Sequence, residues 1–184
     1  NQRAFPENNY LSLFLIKAYK EINNYGLANQ LLQQAARPEA KTALTAWQIY
    51  WTTSSQKNFS QTLSKHLAPK FNHRDQLALV THIPTDSVRL RIDPPHGSRI
   101  RIYQIEVQID NQTIRFPIST LEFNHLRREE DSLIAHGIRD PYFHLPIGKY
   151  LEPADREEIT VSVRFYVDVV VGEDQLPLVD FFEH

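Results

Sequence analysis

The stretch Val161-Ser-Val-Arg-Phe-Tyr-Val-Asp-Val-Val-Val171 decides the fold. Val161, Val163, Phe165, Val167, Val169 and Val171 occupy alternate positions, with Ser162, Arg164, Tyr166 and Asp168 between them. A period of two puts the first set on one face of a strand and the second on the other. Working back along the chain, Val88, Leu90 and Ile92 alternate with Arg89 and Arg91. Tyr103, Ile105, Val107 and Ile109 alternate with Gln104, Glu106 and Gln108. Each run predicts a half-buried strand with one wet face, the pattern of antiparallel sheets. Asp93-Pro94-Pro95-His96-Gly97 breaks one pair of strands, and Asp110-Asn111 predicts a hairpin from 103–109 into 113–118. Pro117 predicts an edge position for that short strand. The one helix-length interruption is 119–134, read in part as a long loop. Strands without alternating helices argue for a sandwich rather than a doubly wound sheet.

The first third reads as helix. Leu11, Phe14, Leu15, Ala18, Tyr19 and Ile22 recur at steps of three and four, the period of one helix face. Asn8 and Asn9 can cap its start and Gly26 can end it. Runs over 27–36, 39–51 and 59–67 continue the pattern, and Pro38 and Pro69 close the second and fourth. Helix, turn, helix, proline is the order of a helical repeat. Tyr19, Tyr25, Ala28, Leu32, Ala35 and Pro38 resemble a tetratricopeptide repeat, whereas Thr62 and His66 depart from it in the next pair. Trp47, Tyr50 and Trp51 read as a buried helix–helix seam in preference to a sugar-stacking or partner-binding patch. The expected organisation is α+β: a helical, tetratricopeptide-like segment over 1–70, then an antiparallel β-sandwich over 71–184.

Charge excludes some functions. The net charge of -2 supplies no positive field for nucleic acid, so none is expected as a partner. Cysteine is absent, which removes disulfides, zinc–thiolate sites and thiol catalysis together. The longest candidate for an apolar span, 11–16, contains Ser12 and is far short of a membrane crossing. With no initiator methionine and no signal peptide, the chain is expected to be a soluble piece of something longer, whose other parts could hold an anchor or a catalytic domain. Its compartment, cytoplasm or periplasm, stays open.

No phosphate loop, G-x-S-x-G elbow or H-E-x-x-H helix occurs, so no signature-bearing catalyst is indicated and neither cofactor nor metal is expected. His136, Asp140 and His144 form the best acid–base or metal candidate. Gly137 and Pro141 favour a turn there, with Asp140 satisfying backbone donors. Asp93 before Pro94 is read in the same way. Arg89, Arg91, Arg99 and Arg101 flank the 93–97 turn and could form a basic strip for a phosphate or acidic sugar, although they read in preference as a solvated, edge-protecting sheet face. With His96, Tyr142 and the two aspartates, these arginines and His144 make up the candidate ligand-binding set. The loops 93–97 and 136–146 are its expected contact sites.

Val88-Arg-Leu-Arg-Ile-Asp93-Pro94, followed by Ile100-Arg-Ile-Tyr-Gln-Ile-Glu-Val107, resembles a β-sandwich domain appended to bacterial glycosyltransferases and membrane proteins of surface-polysaccharide assembly. Gly137-Ile-Arg-Asp140-Pro141-Tyr-Phe-His-Leu-Pro146 resembles a second Asp-Pro stretch of the same domains, and the likeness covers about residues 76–171. It implies a jelly-roll-like accessory domain touching glycan, and it carries no catalytic residue onto this chain. The expectation is therefore a non-catalytic accessory module contacting carbohydrate. The alternatives are a scaffold holding a protein partner through 10–67, or a hydrolase built on His136, Asp140 and His144.

Overall fold

The computed structural model describes residues 18–19, 22, 27, 46–72, 74, 76–96, 98–136, 140–151, 157–171 and 174–177. From residue 46 the described chain forms β1 (Trp47–Thr53), β2 (Ser64–Leu67), β3 (Lys70–Phe71), β4 (Leu77–Pro84), β5 (Ser87–Asp93), β6 (Arg99–Ile109) and β7 (Gln112–Arg115). It continues through β8 (Phe123–Asn124), β9 (Leu126–Glu129), β10 (Ser132–His136), β11 (Tyr142–Leu145), β12 (Glu158–Val171) and β13 (Asp174–Pro177). The first sheet has the order β2-β1-β5-β11-β8. The second runs β3-β4-β12-β6-β10-β9, with β7 alongside β6 and β13 alongside β12. Every pairing is antiparallel.

The two sheets share one core. Trp47, Ile49 and Trp51 of β1, Leu90 and Ile92 of β5, and Phe143 and Leu145 of β11 come from the first sheet. Leu77, Leu79 and Ile83 of β4, with Val161, Val163 and Phe165 of β12, come from the second. The rings of Trp47 and Phe165 join them with centroids 4.8 Å apart. Burial of large apolar groups on this scale supplies the main stabilising term.

β6 departs from a simple alternation. Ile100 and Ile102 point into the core, and so do Ile105, Val107 and Ile109. The phase changes at Gln104, whose φ of 52° inserts one extra residue. The pairing with β12 shifts between Arg164 and Tyr166 at the same place. This bulge turns Tyr103 outward, against the sequence expectation, and stacks it on Tyr166 at 5.5 Å. The hairpin expected at Asp110-Asn111 joins β6 to β7. Pro117 lies beyond β7, at the N-cap of a 3-10 turn (Ile118–Thr120), and the stretch 119–134 expected to be helix or loop contains β8, β9 and most of β10.

The helical reading fails from Trp47 onward. Residues 47–53 are a strand, and 59–67 are an irregular segment, a 3-10 turn (Gln61–Leu63) and β2. A spacing of four, as in Trp47/Trp51 and Phe59/Leu63/Leu67, keeps residues on one face of a helix and of a strand alike, so the period alone did not separate them. Trp47, Ile49 and Trp51 instead line the core at a period of two. The described residues before position 71 thus share sheets with those after it. The expected repeat over 10–38 falls outside the described residues except at 18–19, 22 and 27. There, Ile22 N–H donates to the Ala18 carbonyl at 3.2 Å and Tyr19 packs on the core. Among the described residues no helix is long and apolar enough to cross a membrane.

Candidate ligand-binding face

With Leu90 and Ile92 turned inward, β5 presents Arg89, Arg91 and Asp93 on the outer face of the first sheet. Antiparallel register places Tyr50 of β1 and His144 of β11 on either side of Arg91. Tyr142 lies two residues from His144 on the same face. The segment 54–63 crosses in front of this row. Its Gln61 Nε2 donates to the Tyr50 hydroxyl at 2.7 Å, and Gln48 donates to Gln61 at 2.9 Å.

Arg91 organises the centre. Its guanidinium carbon is 3.9 Å from the Tyr142 ring centroid and 5.0 Å from that of Tyr50. Nε and Nη2 donate to the two oxygens of Asp93 at 2.7 and 2.6 Å, and Nη2 also reaches Asp140 at 3.1 Å. Burial raises the Asp93 carboxyl above its ordinary range and outweighs the opposing pull of Arg91. The pair is a desolvated ion pair whose carboxylate depends on its partner.

Beside it runs a row of rings. Phe59 stacks on His144 with centroids 5.1 Å apart, and His144 stacks on Tyr142 at 5.2 Å. Arg89 lies over Phe59 at 5.2 Å and meets Glu122 at 3.5 Å. His144 Nδ1 is 3.3 Å from Glu122 Oε2, which assigns the proton to Nδ1 and leaves Nε2 an acceptor. Nε2 is buried without a partner. Burial holds the imidazole below its ordinary pKa, against the pull of Glu122. Glu122 and Asp140, each 75% exposed at the side chain, form the wet rim.

Six of the nine candidates therefore meet on one face: Arg89, Arg91, Asp93, Asp140, Tyr142 and His144. The other three do not. His96 is exposed in the turn after β5, and Arg99 is exposed opposite His136 at the start of β6. Arg101 donates to Glu129 at 2.8 Å on the second sheet. It lines a shallow cavity of about 200 Å³ with Tyr103, Ser132 and Asp168. The turn after Asp93 carries the chain from one sheet to the other, so the four arginines form no single strip. The same separation divides the histidines: β10 places His136 in the second sheet and β11 places His144 in the first. Among the described residues no three histidine, aspartate or glutamate side chains converge to hold a metal. The expected contact loop 136–146 contains β11, so Tyr142 and His144 are held by a sheet rather than a loop.

Sequence reasoning missed Tyr50, Phe59 and Glu122. A strand reading of 47–51 would have set Tyr50 opposite Trp47 and Trp51. Phe59 and Glu122 come from irregular segments, where no period marks a side chain's direction. Comparison with protein families, with curated proteins and with solved structures finds no match to this chain.

Proposed function

We propose that this chain is a non-catalytic binding module, a jelly-roll-like β-sandwich that takes carbohydrate on the outer face of its first sheet. The observation that carries the reading is the Phe59–His144–Tyr142 row of stacked rings beside an arginine–carboxylate cluster. Sugars present apolar C–H groups that pack against the exposed parts of aromatic side chains, and hydroxyls that pair with carboxylates and guanidinium groups. The jelly-roll description is supported by the path of the chain, which crosses repeatedly between the sheets, from β2 to β3, β4 to β5, β5 to β6, β7 to β8, β8 to β9, β10 to β11 and β11 to β12. The likeness of 88–107 and 137–146 to accessory domains of bacterial surface-polysaccharide enzymes favours glycan over other ligands and an accessory role over a catalytic one.

Asp93 and Asp140 balance the charge of Arg91 and engage its Nε and Nη2 donors, so neutral sugars fit this face better than phosphorylated or acidic ones. Calorimetric titration with neutral oligosaccharide fragments of bacterial surface polysaccharides tests the proposal. Binding in the micromolar-to-millimolar range, weakened at least about tenfold by Tyr142→Ala, is the expected result (about 1.4 kcal/mol). No heat at millimolar ligand removes the carbohydrate reading.

A further inference from the structure

His144 is enclosed in a way that suits only its neutral form. Phe59 and Tyr142 both stack on the imidazole, with ring centroids 5.1 and 5.2 Å away. Nδ1 faces Glu122, and Nε2 is buried with nothing to accept from it. Protonation would convert Nε2 from an unused acceptor into an unsatisfied buried donor carrying charge, a costlier state than a neutral orphan. The charged groups facing the ring are Arg89 and Arg91 of β5 and Glu122 of the segment before β8. Glu122 is shared with Arg89 and largely exposed, and the negative charge of Asp93 and Asp140 is already held by Arg91. A proton on His144 therefore meets two nearby cations and one screened anion.

The two rings are held to different degrees. Tyr142 belongs to β11, which is paired on both edges, to β5 and to β8. Phe59 belongs to the irregular stretch between β1 and β2. Its span is held to the sheet by side-chain hydrogen bonds through Gln61 and by the Ser54 contacts to Asp86 at its start. We propose that the segment 54–63 is a strap, closed over the outer face of the first sheet while His144 is neutral and released by its protonation. Release lets water reach Nε2 and uncovers Tyr50 and Arg91.

The test needs no ligand. The full chain, labelled for nuclear magnetic resonance, is titrated from pH 8 to pH 4. The His144 ring protons, the Phe59 ring protons and the amides of 57–62 are followed together. A single shared midpoint below that of ordinary histidine is expected, and loss of the Phe59 transition in His144→Phe, which keeps a stacked ring but cannot titrate. Phe59 resonances that stay still while His144 titrates would overturn the proposal, as would a transition that persists in His144→Phe. If that variant does not fold, Phe59→Ala decides the matter. Uncovering the ring should move the His144 midpoint up toward the ordinary value, and an unmoved midpoint rejects the strap.

Discussion

Arg91 and Tyr142 lie face to face across neighbouring strands, the guanidinium carbon 3.9 Å from the ring centroid. The contact fixes the plane of the arginine, so that its edge meets both oxygens of Asp93. Stacking and ion pairing thus use different surfaces of one side chain and reinforce each other.

Replacing Arg91 by leucine should cost about 3–5 kcal/mol near neutral pH, because it leaves Asp93 buried without its partner. The cost should depend on pH. The Asp93 carboxyl already sits above its ordinary value through burial, and the variant should raise it further. A raised carboxyl favours the folded state while protonated, and that contribution disappears as pH rises through the folded value. Denaturant unfolding at pH 4 and pH 8 should therefore show the larger loss at pH 8. An equal loss at both would contradict the assignment.

Glu106 behaves in the opposite sense. It is buried on the outer face of the second sheet, and Arg115 Nη2 donates to it at 2.7 Å, holding its carboxyl below the usual range. That contribution is present above the unfolded carboxyl value and fades as pH falls through the folded one. Arg115→Ala should cost about 1–2 kcal/mol at pH 7, toward the lower figure because Arg115 is exposed. Its stability should converge with that of the parent only as pH falls below the lowered folded value, beneath the ordinary carboxyl range. Failure to converge in acid denaturation would mean that the pair is not the cause.

Tyr103 offers a spectroscopic check. Burial first, and then Asp168, push its hydroxyl up to about 12, with the O–H donating to Asp168 at 3.2 Å. The raised value stabilises the folded state below the ordinary tyrosine range, and this stabilisation is lost as pH rises through the folded value. Absorbance titration should show one late-ionising tyrosine, and Asp168→Asn should bring it partway down, burial remaining. A titration unchanged by the substitution would place the late tyrosine elsewhere.

Much of the fold could be read in advance where one face of a strand is apolar and the other charged. The alternation in β5 and β12 pointed directly to Leu90, Ile92, Val161 and Val163 as core. β1 was hidden because Tyr50 and Thr52 on its outer side are also buried, which removes the contrast that marks a strand. Tyr103 was assigned to the wrong face because a bulge at Gln104 is a backbone event with no pattern of its own. For the site, residue type identified the arginines and aspartates, but their grouping depends on which strands become neighbours. Arg91 and His144 are far apart along the chain and adjacent only through the pairing of β5 with β11.

Gly148 makes the tightest of these neighbour relations visible. A Cβ there would stand 3.0 Å from the Val88 Cα and 3.1 Å from its carbonyl oxygen, both backbone atoms that cannot rotate away. Gly148→Ala should destabilise by about 1–3 kcal/mol through overpacking. It should also shift the β5 amides around Val88 in a heteronuclear spectrum. An unchanged thermal midpoint would show that the turn at 148–150 yields freely.

The position of β12 in the chain has a consequence for how the molecule is made. This strand lies between β4 and β6 and pairs with both, yet it is synthesised well after them. Until residues 158–171 leave the ribosome, the two earlier strands have no mutual partner and present open edges carrying aliphatic side chains. Closure must wait for distant segments to meet, which predicts slow assembly and a period in which those open edges are vulnerable to self-association.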